Sequence, residues 1–323
     1  MPGTIIVTGA ALAAPAMEVA ARHGARVITI KPYTPPAEIA RLAVAESADA
    51  IIVRAAHVTD EVIGAASTLK VIVKHGIGVD TIDVASATRR GIPVLITHGA
   101  NAQSVAEHAF GLMFAVTRRT AHLDSRMRAG HWDKADSFGA ELSGKALGIV
   151  GLGSIGSALI ELVRPLRMTV RGYDPYFRGS IANVEIVGDL DALASASDIV
   201  SLHVPLTEQN RNMFDARRIG LMRSGAILIN TARGGLVDHD ALATALTTGR
   251  LSGAGLDCFP QEPPVENPLA ALPNVVMTPH VGANTGEAAE RVGLRAIQQA
   301  LDVIEGRPFD PRANVNPDYA AAA

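Results

Sequence analysis

Cysteine is nearly absent from this sequence of 323 residues. The single cysteine, Cys258, excludes a disulfide within the chain and is typical of a protein in a reducing compartment. An excess of charge of one sign is also lacking, because 29 basic residues stand against 32 acidic ones and no basic run or stripe occurs. Nothing therefore favours nucleic acid or an anionic membrane surface as a partner, and we predict neither. We expect small molecules as partners and a cytoplasmic location.

Long hydrophobic runs are missing too. The least polar window, residues 146–160, is rich in glycine and shorter than the roughly 20 residues of a membrane-spanning helix. The start of the chain, MPGTIIVTGAALAAPA, lacks the basic leader of a signal peptide, and its pattern predicts a strand followed by the start of a helix. A content of 48% apolar and 19% charged residues is typical of a soluble globular protein, and the length allows two domains.

A glycine motif that follows a short apolar run is the most informative stretch of the sequence. Ala146 to Val150 predicts a strand, Gly151, Gly153 and Gly156 follow it directly, and a helical pattern begins within the motif. A second apolar run ends at Asp174, about twenty residues further on, where a carboxylate can accept hydrogen bonds from a ribose diol. A lone glycine turn would also fit a plain corner between strand and helix. Strand, turn, helix, second strand and terminal acid occur here in order, and they predict a dinucleotide-binding site.

The three glycines have separate functions in this prediction. Gly151 permits the tight turn, Gly153 lets the backbone approach a pyrophosphate, and Gly156 lets the helix pack close to the sheet. A side chain at Gly153 is therefore expected to block the cofactor. Asp174 favours NAD over NADP because its carboxylate would repel a 2′-phosphate, although Arg178 lies nearby in the sequence.

Short apolar runs alternate with helical patterns along most of the chain, which predicts an α/β fold with parallel, doubly wound sheets. The stretch from Asn101 to Ala129 is predicted to be helical for most of its length. Its apolar residues lie around more of the helix circumference than one domain face would cover, so we predict a homodimer. The last amphipathic helix begins at Glu287, after the nucleotide-binding strands are complete, and we expect it to pack on the first domain. The predicted divisions are 1–99 and 287–315 for a substrate domain, 100–286 for the nucleotide-binding domain, and 316–323 for a disordered tail.

Three polar side chains follow predicted strands in the second half of the chain. Arg233 lies in TARGGLVD after one strand, Glu262 in DCFPQEPP after the next, and His280 in PHVG after the third. Ligands of open α/β sheets bind beyond the carboxyl ends of the strands, so we expect these side chains to lie together. Each has an ordinary structural explanation when taken alone. Together they meet the needs of hydride transfer between a 2-hydroxy acid and nicotinamide: a cation for the carboxylate, a base for the hydroxyl proton, and a carboxylate that holds the base.

The motifs KHGIGVDTID, GLGSIG, NTARGGLVD, DCFPQEPP and TPHVGA run along nearly the whole chain. Together they resemble the motifs of the D-isomer-specific 2-hydroxyacid dehydrogenases, most closely the branch of phosphoglycerate dehydrogenase and hydroxypyruvate reductase. The resemblance implies a Rossmann NAD-binding domain inserted in a flavodoxin-like substrate domain, an active site in the cleft, and a homodimer built on the helix that begins near Asn101. It also implies NAD as cofactor and a small anionic D-2-hydroxy acid or 2-keto acid as substrate, with 3-phosphoglycerate, hydroxypyruvate and glyoxylate as leading candidates. No metal site is predicted.

By this resemblance, Arg233 orients the substrate, His280 is the acid and base, and Glu262 holds His280. Ser154 and Ile155 would present amides to the pyrophosphate. The implied cofactor-binding residues are Gly151, Gly153, Ser154, Ile155, Gly156, Asp174, Val204, Thr231, Asp257, Ile77, Gly282 and Ala283, of which Asp257 would bind the carboxamide. Arg54 and Lys74 each end a predicted strand of the first domain and could add positive charge for the substrate. The predicted substrate-binding residues are Arg54, Lys74, His75, Gly76, Ile77 and Arg233.

Two features separate the chain from the usual pattern of that branch. Phosphoglycerate dehydrogenases often carry long C-terminal regulatory domains, whereas this chain stops soon after its last predicted helix, so we expect no serine feedback through such a domain. Lys74 and His75 stand where a basic residue followed by a small one is more usual, which leaves the substrate open.

Other functions of the same fold stay open as alternatives. A corepressor that senses NAD would need an exposed peptide-binding surface, and a phosphite dehydrogenase would keep the same three catalytic residues. Formate dehydrogenases are disfavoured, because they carry glutamine where Glu262 stands.

Overall fold

The computed structural model describes residues 3–321. Within them the chain forms two compact units: unit 1 comprises the residues up to Asn101 and from Asn284 onward, and unit 2 is Ala102–Ala283.

The first part of unit 1 alternates strands with helices. Its elements are β1 (Thr4–Thr8), α1 (Ala14–Arg22), β2 (Arg26–Ile30), α2 (Pro36–Ala45), β3 (Ala50–Val53), α3 (Asp60–Ala65), β4 (Val71–Lys74), α4 (Val84–Arg89) and β5 (Val94–Ile96). The strands pair in parallel in the order β2-β1-β3-β4-β5, which is the flavodoxin-like order. Every residue of β3, with the sequence AIIV, is buried, as expected for a parallel sheet that is covered on both faces.

Unit 2 contains a larger parallel sheet. Its elements are α5 (Ala102–Thr117), α6 (Thr120–Arg128), β6 (Ala146–Val150), α7 (Ser154–Val163), β7 (Thr169–Tyr173), β8 (Val184–Ile186), α8 (Leu190–Ala196), β9 (Ile199–Leu202), α9 (Ala216–Leu221), β10 (Ala226–Asn230), α10 (His239–Thr247), β11 (Leu251–Leu256) and β12 (Val275–Met277). The strand order is β12-β11-β10-β9-β6-β7-β8, so the direction of winding reverses between β6 and β9. This is the Rossmann order extended by one strand, and it confirms the predicted fold class.

The pairing register of this sheet brings the strand ends to a common edge. Val150 at the end of β6 lies beside Tyr173 of β7 and Leu202 of β9. Further along the sheet, Asn230 of β10 is paired with Leu202 and with Leu256 of β11. The loops that follow β6, β7, β9, β10 and β11 therefore begin at one level, where ligands of such sheets bind.

Helix α5 packs closely on this sheet because β11 has glycine at two contact positions. A Cβ at Gly253 would lie 2.5 Å from Cγ1 of Val116, and one at Gly255 would lie 3.0 Å from Cβ of Leu112. Most apolar residues of α5 are therefore covered within unit 2 itself.

Residues 101–129 are helical for most of their length, as predicted, but they form two helices rather than one, because α5 ends at Thr117. Arg119 has a left-handed backbone, with φ of 53°, before α6 begins. The carbonyl of Thr117 accepts a hydrogen bond from the amide of Ala140 at 2.9 Å instead of continuing the helical pattern.

Unit 1 is completed by α11 (Gly286–Ile304), which packs against α1, β3 and β4. Its residues Ala296, Ile297, Ala300 and Leu301 share one apolar core with the sheet of unit 1. Among the helices within residues 3–321, none is both long and apolar enough to cross a membrane.

The predicted disordered tail differs from the structure over residues 316–321. Asn316 is buried, and its Oδ1 accepts a hydrogen bond from the amide of Val94 at 2.7 Å while its Nδ2 donates to the carbonyl of Ile92 at 3.0 Å. A short 3₁₀ helix, Pro317–Ala321, follows. The prediction for residues 322 and 323 falls outside the described residues.

Candidate active site

The glycine turn between β6 and α7 has the geometry that the motif predicts. Gly151 has φ of +97°, and a Cβ there would lie 2.5 Å from the carbonyl oxygen of His203. A Cβ at Gly156 would lie 2.1 Å from the carbonyl oxygen of Gly151, whereas one at Gly153 would meet no atom within 4 Å. Gly151 and Gly156 are thus required by packing, and Gly153 leaves open space beside the helix N-terminus. That space fits a pyrophosphate, which would receive hydrogen bonds from backbone amides.

Asp174 lies beside this turn at the end of β7. Its carboxylate accepts hydrogen bonds from the amide of Leu152 at 3.0 Å and from the amide of Tyr176 at 2.9 Å. Arg178, which could have favoured a phosphate, donates instead to the carbonyl oxygens of Pro175 and Phe177. The carboxylate is therefore held at the glycine turn, where a ribose diol would lie in a dinucleotide site.

Two further predicted cofactor-binding residues follow neighbouring strands. A side-chain carbon of Val204 would be 2.9 Å from a Cβ at Gly151, so Val204 packs on the turn. Thr231 is buried after β10, and its hydroxyl has no hydrogen-bond partner among residues 3–321. A buried hydroxyl without a partner fits a position that gains one when a ligand binds.

Glu262 and His280 form a hydrogen-bonded pair, with Oε2 and Nδ1 2.8 Å apart. The other carboxylate oxygen of Glu262 accepts a hydrogen bond from the amide of Phe259 at 3.0 Å, which fixes the carboxylate. The side chains of His280 and Glu262 are 45% and 37% exposed. Because Nδ1 is bound to the carboxylate, Nε2 is the ring nitrogen left for exchanging a proton with another group.

Arg233 belongs to a loop that packs directly on the segment before Glu262. A Cβ at Gly234 would lie 2.0 Å from the backbone of Phe259, so these two loops are in contact. The guanidinium of Arg233 donates to the carbonyl of Ala232 at 2.6 Å. The structure thus brings together the strand-end loops that carry the three predicted catalytic residues.

Asp257 is the centre of a hydrogen-bond network that the sequence analysis missed. Its buried carboxylate accepts hydrogen bonds from the hydroxyl of Thr278 at 2.6 Å and from the amides of Val281 at 2.9 Å and Gly282 at 2.8 Å. His108 of α5 lies 2.8 Å from the Thr278 hydroxyl and 3.4 Å from the carboxylate. Burial alone would raise the pKa of Asp257, but hydrogen bonds from His108, Thr278 and the two amides lower it overall. An ionised Asp257 therefore holds the loop on both sides of His280.

This network gives two of the predicted cofactor-binding residues a structural role. Asp257 and Gly282 are bonded to each other, and a Cβ at Gly282 would lie 3.0 Å from the carboxylate. Their visible role is to support the loop of His280, and contact with a cofactor stays a prediction for both. Ala283, for which the same prediction was made, is the last residue of unit 2. The only signal for His108 in the sequence is a polar residue within the apolar pattern of α5.

The predicted substrate-binding residues of unit 1 lie at the ends of β3 and β4. Arg54 donates to the carbonyl oxygens of Ala10 at 2.8 Å and Ala11 at 2.7 Å, and Nζ of Lys74 donates to the carbonyl of Arg54 at 3.1 Å. Burial and the positive charges of Arg54 and Lys74 lower the pKa of His75 to about 4, so the ring is neutral near pH 7.

The loop after β4 is tied down within unit 1. Gly76 has φ of +139°, and its amide donates to the hydroxyl of Thr97 at 2.9 Å. The amide of His75 donates to the carbonyl of Val53 at 3.0 Å. The amides of His75 and Gly76 are therefore engaged within unit 1, and substrate contact by His75, Gly76 and Ile77 stays a prediction.

Comparison with known proteins agrees with these features. The family model described as "D-isomer specific 2-hydroxyacid dehydrogenase, NAD binding domain" matches residues 110–282. The chain is 44% identical over 255 residues to the hydroxypyruvate reductase of Thermotoga maritima, covering 78% of this chain and 83% of that protein. It is 42% identical over 265 residues to the D-3-phosphoglycerate dehydrogenase of Methanocaldococcus jannaschii, covering 81% of this chain and 51% of that protein. The chain thus spans about half the length of the curated phosphoglycerate dehydrogenases that it matches.

The fold itself has close counterparts among solved structures. The TT0316 protein from Thermus thermophilus superposes with a TM-score of 0.87 at 34% identity, covering 96% of this chain and 99% of that one. Sequence motifs, strand order and family match agree, and the chain belongs to the D-isomer specific 2-hydroxyacid dehydrogenases.

Proposed function

We propose that the chain is an NAD-dependent dehydrogenase that interconverts a small D-2-hydroxy acid and its 2-keto acid. The observation that carries the proposal is the pair of Glu262 and His280, 2.8 Å apart in the same unit as the glycine turn. NAD, when bound, supplies the hydride acceptor or donor for C2 of the substrate. The side chains of unit 2 supply proton transfer and orientation.

His280 is the residue that moves the proton. In oxidation, neutral Nε2 accepts the proton of the substrate hydroxyl, and in reduction the protonated ring returns it to the oxygen on C2. Glu262 bonds to Nδ1 and so keeps the ring in one orientation through both directions. The amide of Phe259 holds Glu262 in turn, which makes the pair rigid enough to be ready before substrate binds.

Arg233 is the cation for the substrate carboxylate. A guanidinium suits this task because it is always charged and can donate two parallel hydrogen bonds to a carboxylate. Its loop is packed on the segment that carries Glu262, so binding and proton transfer are supported by neighbouring backbone.

The cofactor we propose is NAD rather than NADP. The carboxylate of Asp174, bonded to the amide of Leu152, would accept hydrogen bonds from a free 2′-hydroxyl and repel a 2′-phosphate. Arg178 donates to backbone carbonyls of its own loop, which gives no support for NADP.

The substrates we favour are 3-phosphoglycerate, or hydroxypyruvate and glyoxylate in the reductive direction. Relatives named D-3-phosphoglycerate dehydrogenase and hydroxypyruvate reductase support this choice. Arg54 and Lys74 lie next to each other in unit 1 and add positive charge for an anionic substrate.

A substrate panel tests the proposal. Turnover is measured with NAD⁺ and with NADP⁺ for 3-phosphoglycerate, D-glycerate, D-lactate and phosphite, and in reverse for hydroxypyruvate and glyoxylate. We expect turnover of a 2-hydroxy acid or its keto acid with a higher kcat/KM for NAD. Turnover of phosphite alone, or none with any of these compounds, would overturn the proposed activity. Equal or better efficiency with NADP would overturn the assignment of Asp174.

We propose a homodimer and a cytoplasmic location as well. The support for the dimer is a group of exposed aromatic and apolar side chains on α5 and the segment that follows it in unit 2: Phe114, Met127, Trp132 and Phe138. Large exposed apolar side chains grouped along one segment are typical of a surface that a partner covers. Light scattering in dilute buffer is the test, and an active monomer would contradict the dimer. The location is supported by the single cysteine, Cys258, which is free and buried.

A further inference from the structure

Three side chains of different chemical type meet beside the proposed proton-transfer pair. One ligand atom from each of Cys258, Glu262 and His280 lies within 4.8 Å of the other two. Thiolate, carboxylate and imidazole are the ligands that Zn²⁺ uses in proteins. The sequence analysis predicted no metal, and the folded loops after β11 and β12 are what bring these residues together.

We propose that Cys258, Glu262 and His280 bind a thiophilic divalent cation such as Zn²⁺, and that the bound ion inhibits the enzyme. The inhibition rests on the proposed function of His280, whereas the binding does not.

The distances require only a small rearrangement. Around a tetrahedral Zn²⁺, with roughly 2.3 Å to sulfur and roughly 2.0 to 2.2 Å to nitrogen and oxygen, the ligand atoms stand roughly 3.3 to 3.7 Å apart. The thiol sulfur lies no more than 4.8 Å from the other two ligand atoms and must come within roughly 3.7 Å of them, and the 2.8 Å contact between His280 and Glu262 must open. The cation takes the place of the hydrogen that the ring and the carboxylate now share.

The three ligand side chains differ in their exposure to solvent and therefore have different roles in binding. Cys258 is fully buried, and its thiol donates to the carbonyl of Ala232 at 3.4 Å. His280 and Glu262 are partly exposed, so a cation can arrive from solvent through them and meet the thiol beneath. Three protein ligands leave a fourth position for water.

The charges around Cys258 act on a bound dication in opposite directions, because the carboxylates of Asp257 and Glu262 attract it and Arg233 repels it. Burial raises the pKa of Cys258 to about 12, with the carboxylates of Asp257 and Glu262 adding to the effect and Arg233 opposing it. Without metal the thiol is therefore protonated and is a poor nucleophile. A cation displaces that proton to solvent, the sulfur bonds to the metal, and neutral His280 donates its Nδ1 lone pair with its proton on Nε2. The two negative ligands then balance the double positive charge, while Arg233 weakens binding by repulsion.

This binding mode explains why the ion would inhibit. His280 with its proton on Nε2 and Nδ1 on the metal cannot accept a proton from the substrate. Cys258 has no part in the proposed reaction, so its removal separates metal binding from catalysis.

Cobalt provides a direct test, because the chain has a single cysteine. Any charge-transfer absorption between thiolate and Co²⁺ must come from Cys258. Apoprotein is titrated with Co²⁺ at constant pH, and we expect a near-ultraviolet band that saturates at one equivalent and disappears when Zn²⁺ is added. Cys258→Val should give no band. His57→Gln, which removes an exposed histidine elsewhere, should keep it.

Inhibition is measured as the ratio of turnover with and without Zn²⁺ in each protein. We expect the Zn²⁺ concentration for half inhibition to rise by roughly tenfold or more in Cys258→Val. Cys258→Ser keeps the size of the side chain and provides a second test if the valine variant folds poorly. No thiolate band in the wild-type protein, or the same Zn²⁺ sensitivity in the wild type and both Cys258 variants, would overturn the site. If the substrate panel finds no activity, the cobalt titration still decides whether the site exists.

Discussion

The glycine turn after β6 allows a substitution that separates cofactor binding from folding. Gly153 has φ of −71° and ψ of −164°, which any residue can adopt, and a Cβ there meets nothing within 4 Å. Alanine at this helix N-cap lowers the free energy of unfolding by up to about 1 kcal/mol. Alanine also reduces the conformational entropy of the unfolded chain, which raises the free energy of unfolding by about 0.4 to 1 kcal/mol. Gly153→Ala should therefore change the free energy of unfolding by no more than about 1 kcal/mol in either direction. Its methyl group fills the space for the pyrophosphate, so the Kd for NADH should rise about a hundredfold, or about 2.7 kcal/mol.

Gly156→Ala is the matched substitution in the same turn. Its Cβ would lie 2.1 Å from the carbonyl oxygen of Gly151, so the backbone must shift, and we expect a loss of about 1 to 3 kcal/mol in stability. Urea unfolding and titration of NADH fluorescence are measured for both variants. If Gly153→Ala binds NADH as tightly as the wild type, the pyrophosphate does not approach this glycine and the cofactor assignment fails.

Three more predictions concern the strand-end loops. His280→Gln should lower kcat about a hundredfold or more while the Kd for NADH, measured by fluorescence, stays unchanged; a near-normal kcat would remove His280 from the reaction. Asp257→Asn should lower the free energy of unfolding in urea by about 2 kcal/mol, because hydrogen bonds to a buried charge are lost. The exposed control Asp136→Asn should have no effect. The same free energy of unfolding for both variants would mean that the network does not stabilise the fold. Burial lowers the pKa of His203 to about 4, below its unfolded value near 6.5, so the unfolded chain takes up a proton first as the pH falls. The wild type should therefore lose up to about 2 kcal/mol more stability than His203→Gln between pH 6.5 and 5, and parallel pH profiles for the two would contradict this.

The fold was predictable where the apolar pattern is long and regular. The strand predicted from the apolar run Ala146 to Val150 is confirmed at the same residues, and all five of them are buried. The short strand Val184–Ile186 was missed, because an edge strand that is mostly exposed needs no apolar run. The break at Arg119 and the ordered Asn316 depend on contacts with distant residues, which a local pattern does not contain.

The candidate site was also predictable only in part, namely where a local sequence pattern marks its residues. Gly151, Gly153 and Gly156 were predictable because the turn requires their spacing, and Glu262 with His280 because each lies in the loop after a strand. The network of Asp257 was not predictable, since it joins residues from α5 and from two loops far apart in the sequence. The position of Cys258 beneath the pair depends likewise on how the folded loops pack.

The division of unit 1 into two segments has a consequence for its synthesis. Unit 2 emerges from the ribosome as one continuous stretch and can complete its core while translation proceeds. The sheet of unit 1 is made first but must wait for α11, whose Ile297 and Leu301 share an apolar core with Ile52 of β3 and Val73 of β4. During that interval the face of the nascent sheet that α11 completes is covered only in part, by α1. The part of the protein that is translated first is therefore the part that folds last, and it is the nascent segment on which a chaperone would act.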